Sequence, residues 1–261
     1  MNEKNFSDLK HTLEYLGFGR TLNASLRNCI EFELPRFRMT LDLIMPVPNP
    51  KNRPDHVDVV QYQLEISKES GTDKYSFDRY DIYLQPAIKP YEMRNQRFYI
   101  KKGEGITVKE SYNLLCGRAV NKDVVLKNGE KANMWFKLDL SERDPEKGYA
   151  FKKYDYNLVS TVEGFVFQGI DRPGFKEQLL KSLNRGNLHE VTFLKDGKEI
   201  MGFIAANPKF KTLDFYDLNL VSVYSKAVGI NEASTKALIS SELKEAAIKD
   251  TSAEKKTGRG R

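Results

Sequence analysis

The sequence predicts an α+β fold of antiparallel sheets and short helices, arranged as two small helix-plus-sheet units. Three observations indicate this class. Apolar residues recur at helical spacing through residues 6–30, and then at every second position between 37 and 101. After Gly169 the order of helix and then sheet recurs: an apolar helical face over 175–183 precedes two strands that flank the turn at 195–198.

The first unit is predicted over residues 1–160. Two short helices meet at Gly17-Phe18-Gly19, and four antiparallel strands follow, with one packed face and one wet face. Four prolines between Pro46 and Pro54 predict a loop. Thr107 and Glu110 have the spacing of a capping box, which predicts a helix that ends near Gly117.

The second unit is predicted over residues 161–227, as one helix packed on a three-stranded meander. Asp171-Arg172-Pro173 has the pattern of a helix cap followed by proline at the first turn. Apolar periodicity predicts a further helix over 228–250. The last segment, 251–261, is small, polar and basic, and is expected to be disordered.

Composition narrows the class of protein. The chain has 261 residues and a net charge of +6, and 40% of its residues are hydrophobic, which is enough for packed cores. No apolar run approaches the ~18 residues of a membrane span, so we expect no membrane partner. Cys29 and Cys116 are the only cysteines and lie far apart, which favours two small apolar side chains in a cytoplasmic protein over a disulfide framework.

The motifs of common enzyme classes are missing. Gly197-Lys198 is followed by Glu199, so it is not a phosphate-binding loop, and no dinucleotide or hydrolase-serine fingerprint occurs. The three histidines are scattered, so we expect no metal and no cofactor. A metal-dependent nuclease would need a lysine two residues after Glu65, but Lys68 comes one residue late and would point to the other strand face. We therefore expect a protein that is not an enzyme.

Aromatic residues interleaved with cations are typical of nucleic-acid surfaces, because bases stack on rings while phosphates contact Lys and Arg. Three segments have this pattern: 94–102, 151–154 and Lys209-Phe210-Lys211. Half-buried strands with rings inward and cations outward explain the pattern equally simply. The basic tail is either a phosphate-binding arm or a solubilising end, and its cations are Lys255, Lys256, Arg259 and Arg261.

Residues 114–122, L-L-C-G-R-A-V-N-K, resemble the L-L-x-G-R-A-V-x-K signature of a domain family of unknown function. Conjugative transposons, plasmids and related mobile elements of gut bacteria carry this family. The segments 15–19 and 134–139 are similar to the same family, and so is 185–212, which contains G-N-L, V-T-F, D-G-K-E, A-N-P and K-T. The likeness extends in order over most of residues 5–217, while 46–56 and the last 40 residues lie outside it.

The resemblance implies a cytosolic accessory protein of a mobile element. Related modules are fused to, or encoded near, DNA-processing proteins such as topoisomerases and mobilisation factors. The family has no established reaction, so it supplies no catalytic residues. Turn chemistry explains most of the signature, but Arg118, Asn121 and Lys122 are polar residues that follow a helix where no cap is needed. We therefore predict that these three residues form a surface that binds a phosphate group or a partner molecule.

Two functions from different classes follow from these observations. The first is a non-enzymatic accessory factor that binds DNA through its basic and aromatic strands and its tail. The second is a protein–protein module, an adaptor or an inhibitor of a host defence system, without affinity for nucleic acid. An enzyme with a dispersed polar site is a third reading, which a pocket gathering several carboxylates or a bound metal would favour.

Overall fold

The computed structural model describes residues 1–48, 56–126, 128–195 and 197–223. In these ranges the chain forms five helices and eleven strands, and the strands lie in three antiparallel sheets, so the predicted α+β class is confirmed. The elements in chain order are α1 (Glu3–Leu16), α2 (Asn23–Glu31), β1 (Arg36–Pro46), β2 (Val57–Lys68), β3 (Tyr75–Gln85), β4 (Arg94–Tyr99), α3 (Val108–Leu115), β5 (Val120–Val125), β6 (Lys131–Asp144), β7 (Gly148–Tyr154), α4 (Leu158–Glu163), α5 (Phe175–Asn184), β8 (His189–Lys195), β9 (Lys198–Asn207), β10 (Thr212–Asp217) and β11 (Ser222–Val223).

The first sheet is a meander in the order β1-β2-β3-β4, as the period-two pattern predicts. Alternate residues of each strand point to one face, and α1, α2 and α3 pack against that face. The opposite face is polar and meets solvent. The buried residues of the inner face are Phe37, Met39, Val60, Tyr62, Leu64, Ile66, Phe77, Tyr80, Ile82, Leu84 and Phe98.

A β-bulge shifts the alternation in β3. Glu65 pairs with Arg79 and Ile66 pairs with Phe77, so Asp78 has no partner in the register. The extra residue lets Phe77 and Tyr80, three positions apart, lie on the same buried face.

The glycines between the first two helices place an aromatic ring in the core. Gly17 has φ +90° and ends α1, and its N–H bonds to carbonyls of the last turn. Phe18 then turns inward, where its ring packs edge-on against Tyr62, Phe77 and Tyr80. The predicted interruption at these glycines is confirmed.

The sheet β5-β6-β7 lies between two hydrophobic cores. Val120 and Leu138 belong to the first core, while Trp135, on the opposite face of the same sheet, belongs to the second. Strand alternation sends neighbouring side chains to opposite faces, so one short sheet contributes to both cores. The division of the chain at residue 160 stays a prediction, and the second core includes Trp135 from before it.

The second core is aromatic and is closed by α4, α5 and a sheet in the order β11-β10-β9-β8. The rings of Phe167 and Phe193 pack on that of Phe215. The indole N–H of Trp135 donates to the carbonyl of Tyr156 at 3.1 Å, which satisfies the polar end of a fully buried side chain.

Two details of the second unit differ from the prediction. Helix α5 begins at Phe175, after Gly174 with φ +78°, so the expected cap at Asp171 is wrong. The meander gains a fourth strand, because the short β11 pairs with β10. The predicted helix over 228–250, the tail over 251–261 and positions 49–54 of the proline-rich loop lie outside the described residues.

Candidate functional site

Arg118 lies at the junction of the two units rather than on open surface. Its Nε donates to the carbonyl of Gly186 at 2.8 Å, and its Nη2 donates to Oδ1 of Asn113 at 2.6 Å. The amide nitrogen of Asn113 donates in turn to the carbonyl of Arg185 at 2.7 Å and to Oδ1 of Asn187 at 2.9 Å. Asn113 is completely buried, so these bonds replace those it would make with water.

The same contacts bring two distant segments of the chain together. Residues 114–122 and 185–188 are separated by more than sixty positions. Arg118 from the first segment bonds to Gly186 in the second. One structural junction therefore includes residues from both segments.

Gly186 allows the closest approach at this junction. Its φ is +76°, a backbone conformation that side chains disfavour. A Cβ there would lie 2.7 Å from the carbonyl oxygen of Ala119 and 3.2 Å from the Cβ of Asn113. Since a backbone oxygen cannot rotate away, only glycine fits without displacing one unit from the other.

Asn121 and Lys122 also contact other residues of the protein. The side-chain amides of Asn121 and Asn133 exchange two hydrogen bonds across β5 and β6, at 2.6 and 2.8 Å. Nζ of Lys122 lies 3.1 Å from a carboxylate oxygen of Glu110, which also closes the capping box of α3 with Thr107. Both polar residues therefore have a structural explanation, and their role in binding stays a prediction.

Lys209 and Lys211 flank the tip of the β9–β10 hairpin. Phe210 between them is 68% exposed, and Nζ of Lys209 lies 5.2 Å from its ring centroid. Buried Asn207 holds the base of the tip, because its side-chain oxygen accepts the N–H of Phe210 and its amide donates to Asp214. The tail cations Lys255, Lys256, Arg259 and Arg261 lie outside the described residues.

The two other basic and aromatic segments are strands with mixed faces. In β4, Phe98 is buried and Arg97 forms two hydrogen bonds with Asp81, while Tyr99 is 62% exposed. In β7, Phe151 packs against neighbouring rings and Lys153 lies over the ring of Phe136. The half-buried-strand explanation therefore accounts for most of the first segment, whereas Phe151, Lys152 and Lys153 of the second are all exposed.

A cleft of about 390 Å³ opens beside the junction. Its floor is one face of α3, where Lys109, Tyr112, Asn113 and Cys116 have the spacing i, i+3, i+4 and i+7. The second unit contributes Ser182, Asn187, Leu188 and Leu220. The ends of β1, β2 and β3 contribute Pro46, Val47, Pro48, Asp58, Pro86 and Ile88.

Two cations gather around one ring in this cleft. Nζ of Lys109 lies 4.8 Å from the ring centroid of Tyr112, and the guanidinium carbon of Arg118 lies 5.3 Å from it. The packing around Lys109, and then the positive charge of Arg118, lower the pKa of the Lys109 ammonium, although part of this side chain remains exposed.

Asp58 is the acid of the cleft, and its oxygens already accept hydrogen bonds from the protein. The hydroxyl of Tyr112 donates to one carboxylate oxygen at 2.8 Å, and the N–H of Ala87 donates to the other at 2.8 Å. Burial of the hydroxyl raises the pKa of Tyr112, so Tyr112 is a neutral donor at neutral pH.

Cys116 offers a thiol to the same cleft, and it is free, as is Cys29. Burial raises the pKa of the Cys116 thiol, although the charge of Arg118 opposes the shift. A raised pKa lowers the thiolate fraction, so Cys116 is a weak nucleophile.

Neither family models, nor curated proteins, nor solved structures match the chain. Within the described ranges, the residues form no group of three or more His, Cys, Asp or Glu suited to a metal ion. The helices of those same ranges include none that is long and apolar enough to cross a bilayer.

Sequence reasoning found Arg118 but missed the residues that share its surroundings. Lys109, Asn113 and Asp58 belong to no recognisable site motif in the sequence. One signal was present: the helix after the capping box has polar residues at 109 and 113, which share one face beside an apolar face. Because strand ends and the second unit close the cleft, these two residues alone did not indicate a cavity.

Gly186→Ala tests the close approach at the junction. We expect Gly186→Ala to lower the free energy of unfolding by about 1–3 kcal/mol for the strained φ, and by about 1 kcal/mol or more for the clash with Ala119. The matched control is Gly129→Ala, since Gly129 has φ +86° with open space around it and carries only the strain. Urea denaturation measures both, and equal losses would contradict the close approach.

The pair of Lys122 and Glu110 is tested by a double-mutant cycle. Lys122→Met should lower the free energy of unfolding by about 1–3 kcal/mol, because it leaves a buried carboxylate without its charged partner. Glu110→Gln retains an oxygen that can close the capping box. The double variant should recover part of the loss of Lys122→Met, whereas additive losses would show that the pair contributes no coupling.

The environment of Cys116 predicts slow alkylation in a Cys29→Ser variant. At pH 8 the iodoacetamide rate should be lower than that of a cysteine in a short unstructured peptide, because the raised pKa leaves less thiolate. The rate should rise with pH to a midpoint above the ordinary ~8.5. Mass spectrometry measures the rate, and a midpoint at or below that of the peptide would contradict the buried environment.

Proposed function

We propose that the protein binds DNA, with a preference for single strands, as a non-enzymatic accessory factor of a mobile genetic element. The observation that carries the proposal is the tip of the β9–β10 hairpin, where exposed Phe210 stands between Lys209 and Lys211. A ring of this kind stacks with an unpaired base, and cations on both sides contact the adjoining phosphates.

The tip is held in place before any ligand arrives. Asn207 is buried and bonds to both Asp214 and the backbone of Phe210, and Lys211 adopts φ +51°. An ordered tip loses less conformational entropy on binding than a flexible loop does. Exposure of the apolar Phe210 ring to water is unfavourable, and a stacked base would cover the ring and offset this cost.

A second basic segment, in β7, contributes two exposed lysines. The hydroxyl of Tyr156 donates to the carbonyl of Thr212 at 2.9 Å, which ties the chain just after β7 to the residue that follows Lys211. Lys152 and Lys153 lie a few residues before Tyr156 and are exposed. These two lysines are a second exposed source of positive charge for a phosphate backbone, and Nζ of Lys152 also lies 3.6 Å from a carboxylate oxygen of Asp139.

The setting in a mobile element rests on the resemblance of ordered segments between residues 5 and 217. A cytoplasmic location suits this setting and the two free thiols, Cys29 and Cys116. The tail adds a candidate phosphate-binding arm, since its four cations and single acid carry half of the net charge of +6.

Fluorescence anisotropy with labelled single- and double-stranded oligonucleotides tests the proposal, at about 50 and 200 mM salt. Phe210→Ala should weaken single-strand binding between about fivefold and a hundredfold, because a stacked base is lost. Lys209→Gln and Lys211→Gln should each make binding less dependent on salt, because each removes a phosphate contact.

Phe32→Ala is the matched control, since Phe32 is 79% exposed and follows α2, away from the hairpin. A chain that ends at Asp250 separates the tail from the folded units. Binding that survives truncation and Phe32→Ala but not Phe210→Ala would support the tip. Binding that is lost with the tail alone, or absent throughout, would contradict the proposal.

A protein partner is the second candidate function, favoured by an apolar group in the loop between β3 and β4. Ile88, Tyr91 and Met93 are each more than half exposed. Exposed apolar residues of this size are enriched at protein interfaces. If DNA does not bind, loss of a captured protein on Tyr91→Ser, with retention on Phe32→Ser, would favour this alternative.

A further inference from the structure

We propose that the cleft beside α3 binds a small molecule composed of an oxyanion, either phosphate or carboxylate, attached to an apolar group. The oxyanion would lie between Lys109 and Arg118, and the apolar group would lie against the proline-lined wall. This ligand site is separate from the hairpin tip, so it does not depend on DNA binding.

The size and lining of the cleft suit a small ligand. Its volume of about 390 Å³ falls within the range of about 300–1,000 Å³ that is typical of ligand pockets. One wall is apolar, with Pro46, Pro48, Pro86 and Ile88. A few polar groups converge from the floor and the second unit, which is the arrangement that orients a bound molecule.

The charges of the cleft favour an anion. Lys109 and Arg118 bring two positive charges within 5.3 Å of one ring centroid, and Asp58 supplies one negative charge. The ion pairs formed between described residues include neither cation. The positive charge of Arg118 disfavours that of Lys109, and an oxyanion near both would relieve this repulsion.

Hydrogen-bonding capacity is available on both cations. Arg118 has five N–H donors and uses two of them, on Gly186 and Asn113, which fix the plane of its guanidinium. The remaining donors and the ammonium of Lys109 match the several oxygens of a phosphate or carboxylate. The oxygens of Asp58 accept hydrogen bonds from Tyr112 and Ala87, which hold this acid in place.

The apolar wall and the junction come from three parts of the chain. The second unit reaches the cleft through Asn187 and Leu188, next to the contact of Gly186 with Arg118. A bound molecule would therefore contact both units at once. Such a ligand stabilises the junction by its binding free energy, because it binds the folded arrangement and not the unfolded chain.

Isothermal titration calorimetry of the full chain tests the site with three probes of similar size: phenyl phosphate, benzoate and benzyl alcohol. We expect at least one anionic probe to bind, and the neutral alcohol to bind at least tenfold more weakly. Phenyl phosphate and benzoate differ in the oxyanion, so their ratio shows which one the cleft prefers. Equal binding of the alcohol, or no binding of either anion, would overturn the proposal.

Lys109→Met removes the cation but keeps the length of the stem, and should weaken the preferred anion about tenfold, while Lys109→Arg should retain most of the affinity. Lys101→Met is the control, because Lys101 is an exposed lysine that does not line the cleft. Circular dichroism checks that each variant is folded. Equal affinity of Lys109→Met and Lys101→Met would overturn the role of Lys109.

Alkylation of Cys116 gives an independent readout of position. In a Cys29→Ser chain, saturating anion should slow the reaction of Cys116 with iodoacetamide at least twofold, because both lie in the same cleft. Benzyl alcohol at the same concentration is the control. Binding by calorimetry without protection of Cys116 would place the ligand elsewhere and overturn this assignment.

Discussion

One three-stranded sheet takes part in two hydrophobic cores, and the arrangement of the rest of the described chain depends on that sharing. Val120 and Leu138 point to the first core, and Trp135 points to the second. Because strand residues alternate between faces, neither core can form completely without this sheet. The positive φ of Gly186 and the absence of a Cβ there let the second unit reach the backbone just before β5.

The cleft and the junction follow from the same constraint. Helix α3 packs its apolar face into the first core and leaves a polar face between the two units. On this face, Asn113 donates a hydrogen bond to the second unit, while Lys109 and Cys116 line the cleft beside it. The hairpin tip with Phe210 connects β9 and β10 and does not line the cleft, so the two proposed activities use separate surfaces.

The sequence predicts local structure well wherever one pattern decides it. Period-two alternation identified the first four strands, and the capping box at Thr107 and Glu110 identified the start of α3. The prediction misplaces the start of α5, because Asp171 and Pro173 are good helix-start residues, whereas Gly174 with positive φ caps a helix that begins at Phe175. Turn and cap residues report local preference, and tertiary packing then selects among them.

Arg118 and Lys122 show the limit of the same reasoning for a site. Both stand out in the sequence because no helix cap needs them, and in the structure they contact partners elsewhere in the chain, Gly186 and Glu110. A single sequence carries no signal for such pairs. The cleft likewise has three walls that only the fold brings together. The sequence shows that Lys109 and Arg118 are cations, but it does not show that they line the same cleft.

The shared sheet makes a direct prediction about cooperativity. Trp135, the only tryptophan, reports on the second core, and Cys29, in a Cys116→Ser chain, packs against the first. Urea denaturation followed by Trp135 fluorescence and by alkylation of Cys29 should give one midpoint, because the two cores unfold together. A change at Trp135 at lower urea, while Cys29 stays protected, would show that the units unfold separately and would contradict the account.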